Sequence, residues 1–205
     1  MNRLISTILF LGIWMINSSF VPPSEELSKD DRKAIISYLK KTRSALINKV
    51  KSLSPAQWSY KPAPEVWSPA EISEHILKAE AVVLKRVTNL EGKEYKPALT
   101  ADYKEKGEEM IAFIVGREKK FQAPEPVAPT GTFGSPEEFI KAFEQRRDET
   151  IDLVKTIDQP IKAYYEVFGP IGEVNGYHWL LFISAHTERH MVQLDSVVAD
   201  PGFPI

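Results

Sequence analysis

The sequence predicts an all-α fold: a four-helix bundle, up-down-down-up, with an extra short helix in the long connection between the second and third helices. Apolar residues recur at three- and four-residue spacing along four long stretches, the signature of helices with one buried face. Two of these stretches open on Ser-Pro-x-Glu, where serine caps, proline fits the first turn and glutamate completes a capping box. Nowhere does a run of alternating strands occur, and the chain holds no internal repeat or low-complexity tract.

The first helix covers about Glu26 to Leu53, with Ile35, Leu39, Leu46, Val50 and Leu53 on one face. The second, Ser68 to Gly92, opens with Ser68-Pro69-Ala70-Glu71 and turns Ile72, Ile76, Ala79, Val83, Val87 and Leu90 inward. The third opens with Ser135-Pro136-Glu137-Glu138 and carries Phe139, Phe143, Thr150, Val154 and Ile157 on its inner stripe. The fourth runs from Asn175 to Ala199, with Trp179, Phe182, Ile183, Leu194 and Val197 inside, and stops at Asp200-Pro201-Gly202. A further helical stretch, about Ala101 to Lys119, lies between the second and third, followed by the proline-rich loop "QAPEPVAPTGTF". Tyr164 to Phe168 reads as a short extended piece.

The short 54–67 segment makes the first two helices antiparallel neighbours, and the long 93–134 connection carries the chain back along the bundle. In that arrangement His75, two turns into its helix, comes level with His190, about two turns from the end of its own. The 54–67 loop, the 120–134 loop and the tail Pro201 to Ile205 border that end.

Composition bounds the function. At 205 residues and 43% hydrophobic, the chain supports one domain with a real core, about 25–205. The net charge of −2 gives no basic stripe for nucleic acid. Zero cysteines leave histidine and carboxylate as the metal chemistry. At the N-terminus, Arg3 and then the 13-residue apolar run Leu4 to Ile16, followed by Asn17-Ser18-Ser19, have the layout of a secretory signal peptide over residues 1–20. The expected location is therefore periplasmic or extracellular, with an uncleaved N-terminal anchor as the alternative and no integral membrane domain after leader cleavage.

The chemistry concentrates on histidines. His186 and His190 in "AHTERH" are four apart, about 40° round a helix and about 6 Å along it, so both imidazoles can grip one ion. His75 faces the core from the second helix as a third ligand. Three imidazoles with an open fourth position are the ligand set of a catalytic rather than a closed structural site. Three buried rings also need partners for both nitrogens of each, and a shared cation satisfies one nitrogen of each. Zinc is the first choice of ion, with nickel or iron as alternatives. His178, eight positions before His186, cannot share that ion and is placed at a surface or pocket wall. Glu71 is read as a cap, Glu74 and Glu188 as solvated faces, and Arg146-Arg147 as surface ion pairing. Trp58, Tyr60 and Trp67 sit in the loop beside the mouth.

The segments "LSPAQWSYKPAPEVWSPAEISEHIL", "APTGTFGSPEEFIKAFEQRRDETIDLV" and "YHWLLFISAHTERHMVQLDSV" resemble the DinB-like superfamily of metal-binding four-helix bundles. A histidine early in helix two, H-x-x-x-H in helix four and a tryptophan before the capping box carry the resemblance, through His75, His186, His190 and Trp67. It implies the up-down-down-up bundle, a divalent metal on three histidines and frequent homodimers. Relatives include thiol-dependent transferases and isomerases, and many members have no assigned reaction. Export would separate this chain from cytosolic thiols such as bacillithiol or mycothiol. The reading is therefore a metal-dependent hydrolase of a small polar substrate, against a thiol-dependent transferase or a non-catalytic metal- or ligand-binding bundle. No residue is assigned as general base.

Overall fold

The helices begin where the caps place them. The structure is a computed structural model that describes residues 25–116 and 122–205, so the expected signal peptide lies outside the described residues. Ser28 caps α1 (Lys29–Val50), and Asp31 returns the bond to the Ser28 N–H in a full capping box. Ser68 and Glu71 do the same for α3 (Pro69–Thr88). Ser135 caps α5 (Pro136–Thr156) through the Glu138 N–H, but the Glu138 carboxylate bonds the Gly134 N–H instead of closing a box. Asn175 caps α6 (Gly176–Val198). The extra helix is α4 (Tyr103–Gly116).

Two local expectations need correction. The 54–67 segment is not all loop: Ser54 and Gln57 form a capping box around a short helix, α2 (Pro55–Ser59). The extended piece at Tyr164 is also part of a small antiparallel sheet, β1 (Glu94–Tyr95), β2 (Tyr164–Phe168) and β3 (Gly172–Asn175), in the order β1-β2-β3. Strands this short offer too few residues to show a period of two.

The core falls into two apolar clusters. One gathers Ile35 and Leu39 of α1, Val83 and Val87 of α3, Ile151 and Val154 of α5, and Leu180 and Ile183 of α6. The other gathers Leu46 and Val50, Ile72 and Ile76, Phe139 and Phe143, and Leu194 and Val197. Buried polar residues stand between the two groups on all four long helices, among them Thr42 on α1, Glu80 on α3, Arg147 and Thr150 on α5, and Thr187 and His190 on α6. α4 lies on α6 at Gly107, where a Cβ would stand 2.8 Å from Leu181 Cδ1 and 3.1 Å from Tyr177 Cε1, so any larger residue would have to displace those side chains. Among the described residues no helix is long and apolar enough to cross a membrane.

Candidate metal centre

α3 and α6 bring His75, His186 and His190 together, and one ring nitrogen of each lies within 4.8 Å of the others, a group that could hold a metal ion. His186 Nε2 is 3.3 Å from His75 Nε2 and 3.1 Å from His190 Nε2. Metal–nitrogen bonds of about 2.0–2.1 Å at tetrahedral angles set ligand nitrogens about 3.3–3.4 Å apart, so these separations suit a shared cation. His75 and His190 are buried and His186 is half-buried.

Protons support the same fit. His75 Nδ1 lies 2.8 Å from the Val127 carbonyl, which can only accept, so His75 carries its proton there and turns a bare Nε2 inward. His190 Nδ1 lies 2.9 Å from Gln193 Oε1, one turn on, with the same consequence. At most one proton, on His186 Nε2, is then left for three converging nitrogens when all the rings are neutral. Burial pushes the His75 imidazole below the ordinary histidine range, against the pull of the Val127 bond. Burial, then His190, His75 and Arg189, hold His186 well below it. Neutral imidazoles are the form that ligates metal.

Aromatic rings fix the imidazoles from the sides. The Trp67 ring is 4.9 Å from His75 and stacks on His190 at 6.5 Å, and Phe182 stacks on His186 at 5.1 Å. Trp67 therefore belongs to the site. Trp58 does not line it: its side chain is buried beside Phe139 and donates to the Phe133 carbonyl. Tyr60 instead holds the C-terminal tail, donating to Asp200 and packing edge-on against Phe203.

The acidic neighbours have other partners. Glu71 closes its cap and pairs with Lys61 at 2.9 Å, as its reading as a cap expects. Glu188 accepts from Tyr38 and Lys41. Glu74 is no solvated residue, because the 128–132 loop folds over it and it is only 2% exposed. Burial pushes its carboxyl up, but Lys78, the Thr132 hydroxyl and the loop amides outweigh that and hold it below the usual carboxylate range.

Arg147 overturns the surface reading as well. It is fully buried, 3.0 Å from Glu80, and donates to Thr42 and Thr187. Arg146 makes the expected surface pair, with Glu149 at 2.7 Å.

His178 stands apart from the metal cluster, but in the core rather than at a surface. Its Nδ1 accepts from the Asn175 N–H at 2.9 Å, completing the cap of α6, and its Nε2 donates to the Tyr103 carbonyl at 2.8 Å. A second proton would face the Asn175 N–H. Burial, helped by Lys106 and opposed by the Tyr103 bond, lowers its pKa from 6.5 to about 4. The unfolded chain then binds more protons than the folded one between those values, so stability falls as pH drops from 6.5 toward 4. His178 alone accounts for a loss on the order of 3 kcal/mol across that window. His75 and His186 add to it in the same direction when no metal is bound. Urea unfolding of metal-free protein at pH 7 and pH 5 should show about 2 kcal/mol of this loss, and His178→Gln should reduce the slope while lowering stability at pH 7. An equal slope in that variant would contradict the assignment.

A helical bundle with three inward imidazoles on two of its helices defines a class, and the chain belongs to it by sequence too. It is a member of the DinB superfamily, whose family profile matches residues 38–194. It is also 22% identical over 150 residues to the uncharacterized protein YuaE of Bacillus subtilis (strain 168), covering 73% of this chain and 88% of that protein. No solved structure gives a significant match.

Proposed function

We propose that His75, His186 and His190 bind one divalent metal ion, zinc first with nickel or iron as alternatives, and that the protein is an exported metal-dependent hydrolase acting on a small polar substrate. The observation that carries the reading is the convergence of three Nε2 atoms, two of them on rings whose Nδ1 protons are directed elsewhere. No carboxylate joins that group among the described residues, which leaves the fourth position of a tetrahedral ion for an exogenous ligand. A divalent ion held there would supply Lewis acidity at neutral pH.

The chain's own residues set the conditions for that chemistry. Val127 and Gln193 keep two imidazoles in the ligating tautomer, while Trp67 and Phe182 fix the ring planes. Export is supported by the apolar run Leu4 to Ile16, and its consequence is separation from cytosolic thiols, which favours water over thiol as the nucleophile. A homodimer is part of the same proposal, on the family's habit.

A specific observation favours the second reading, a metal- or ligand-binding bundle without turnover. Glu71, Glu74 and Glu188 are all engaged by other groups, so none of the three stands ready as a general base. A screen of esters, amides, lactones and phosphoesters, run beside thiol-conjugation assays, separates the readings. Metal-loaded wild type should hydrolyse at least one class and His186→Ala should fall to background. Equal activity in that variant would refute a catalytic metal, conjugation without hydrolysis would make the protein a thiol transferase, and silence across the panel would favour the binding protein.

A further inference from the structure

Glu74 is adjacent to His75 on α3, yet its carboxylate is engaged by the loop above and by Lys78. Its Oε1 accepts from the Thr130 N–H at 3.0 Å, the Thr130 hydroxyl at 2.8 Å and the Thr132 hydroxyl at 2.7 Å. Its Oε2 accepts from the Gly131 N–H at 2.9 Å and the Thr132 N–H at 3.0 Å. Lys78 Nζ closes the arrangement, 2.8 Å from Glu74 Oε1 and donating to the Ala128 carbonyl and Thr130 hydroxyl at 2.9 Å each. Three successive backbone amides, two hydroxyls and an ammonium on one buried carboxylate make a charge-assisted anchor far stronger than a surface contact.

The same loop supplies the group that sets the His75 tautomer, since Val127 lies three residues before Thr130 and its carbonyl takes the Nδ1 proton. Adjacent residues of α3 thus hold the loop, one by its turn and one by its incoming strand of chain. We propose that Glu74 is the positioning residue of the centre: by gathering the 130–132 turn it keeps the Val127 carbonyl on His75 Nδ1, so that the bare Nε2 faces His186 and His190. The proposal rests on the metal reading above and extends it to the loop. Coupling of this kind is reciprocal, so an ion that fixes His75 also steadies the turn.

The test uses full-length protein, with zinc as the probe, in wild type, Glu74→Gln, Thr132→Val and His75→Ala. Zinc affinity by chelator competition should fall about 10- to 100-fold in Glu74→Gln, the usual cost of losing the support behind a metal-bound histidine. Nitrogen-15 spectra of the metal-free protein should show His75 protonated on Nδ1 in wild type and as a mixture of tautomers in Glu74→Gln, a signature that a merely structural role would not move. Zinc should slow amide exchange at 130–132 in wild type and not in Glu74→Gln. Thr132→Val, which removes one donor, should move all three readouts less and in the same direction, and it decides the matter if Glu74→Gln does not fold. Zinc affinity or a His75 tautomer unchanged from wild type in the folded variant overturns the proposal alone. A wild type that holds zinc no better than His75→Ala overturns the metal reading and this proposal with it.

Discussion

Glu80→Ala is expected to cost the fold about 3–5 kcal/mol, because it strands a guanidinium in the middle of the bundle. Arg147 is 0% and Glu80 3% exposed, and their charges lie 3.0 Å apart. Each has further partners: Arg147 donates to Thr187 at 2.7 Å and Thr42 at 3.3 Å and sits 4.9 Å from the Phe143 ring centre, while Glu80 accepts from Thr150 at 2.6 Å. Burial pushes the Glu80 carboxyl up and the Arg147 guanidinium down, against their mutual attraction. Such a pair adds little over a well-packed apolar layer, yet removing one member leaves the other charged and dry. Glu80→Leu with Arg147→Met should therefore recover most of what Glu80→Ala loses. Urea unfolding of the three proteins measures both effects, and a loss below about 1 kcal/mol for Glu80→Ala would contradict the account of the layer.

Removing one cluster histidine should have the largest effect on composition. His75→Ala, His186→Ala and His190→Ala should each lose nearly all bound metal, since the remaining two imidazoles make a poor site. His178→Ala should keep it, because its ring is held by Asn175 and Tyr103 and lies outside the cluster. An ion that binds only the folded protein stabilises it by about 2.7 kcal/mol at 100 times Kd. Metal-loaded wild type should therefore melt roughly 5–10 °C above chelator-treated protein. His75→Ala should show no such difference. A metal-free His178→Ala beside a metal-loaded His75→Ala would reverse the assignment.

Most of the helical frame was legible because its signals are local. Ser68 with Glu71, the stripe from Ile72 to Val87 and the i, i+4 pair His186 and His190 each depend on residues within a turn or two. The second half of the site was not, because long-range loops have no period. Glu74 lies beside an inward histidine on a helix, which by angle alone reads as a flank, and only the Thr130-Gly131-Thr132 turn arriving from 56 to 58 positions away buries it. Its signal, threonines and a glycine just before the third helix, was present but had no visible partner. Arg147 was within reach: it stands four after Phe143 and three before Thr150 on the stripe already read as inward, and its charge led to a surface reading. His178 was likewise hidden by its role, a histidine closing the capping box of α6 where a glutamate or glutamine is usual.

The central claim, three histidines on one ion with room for a further ligand, is tested most directly by X-ray absorption and elemental analysis of protein purified without added metal. The predicted result is about one divalent ion per chain, coordinated by three imidazole nitrogens and one exchangeable light ligand. Stoichiometric binding through a fourth protein ligand, a coordination sphere without imidazole, or protein that takes up no ion when metal is supplied would contradict it.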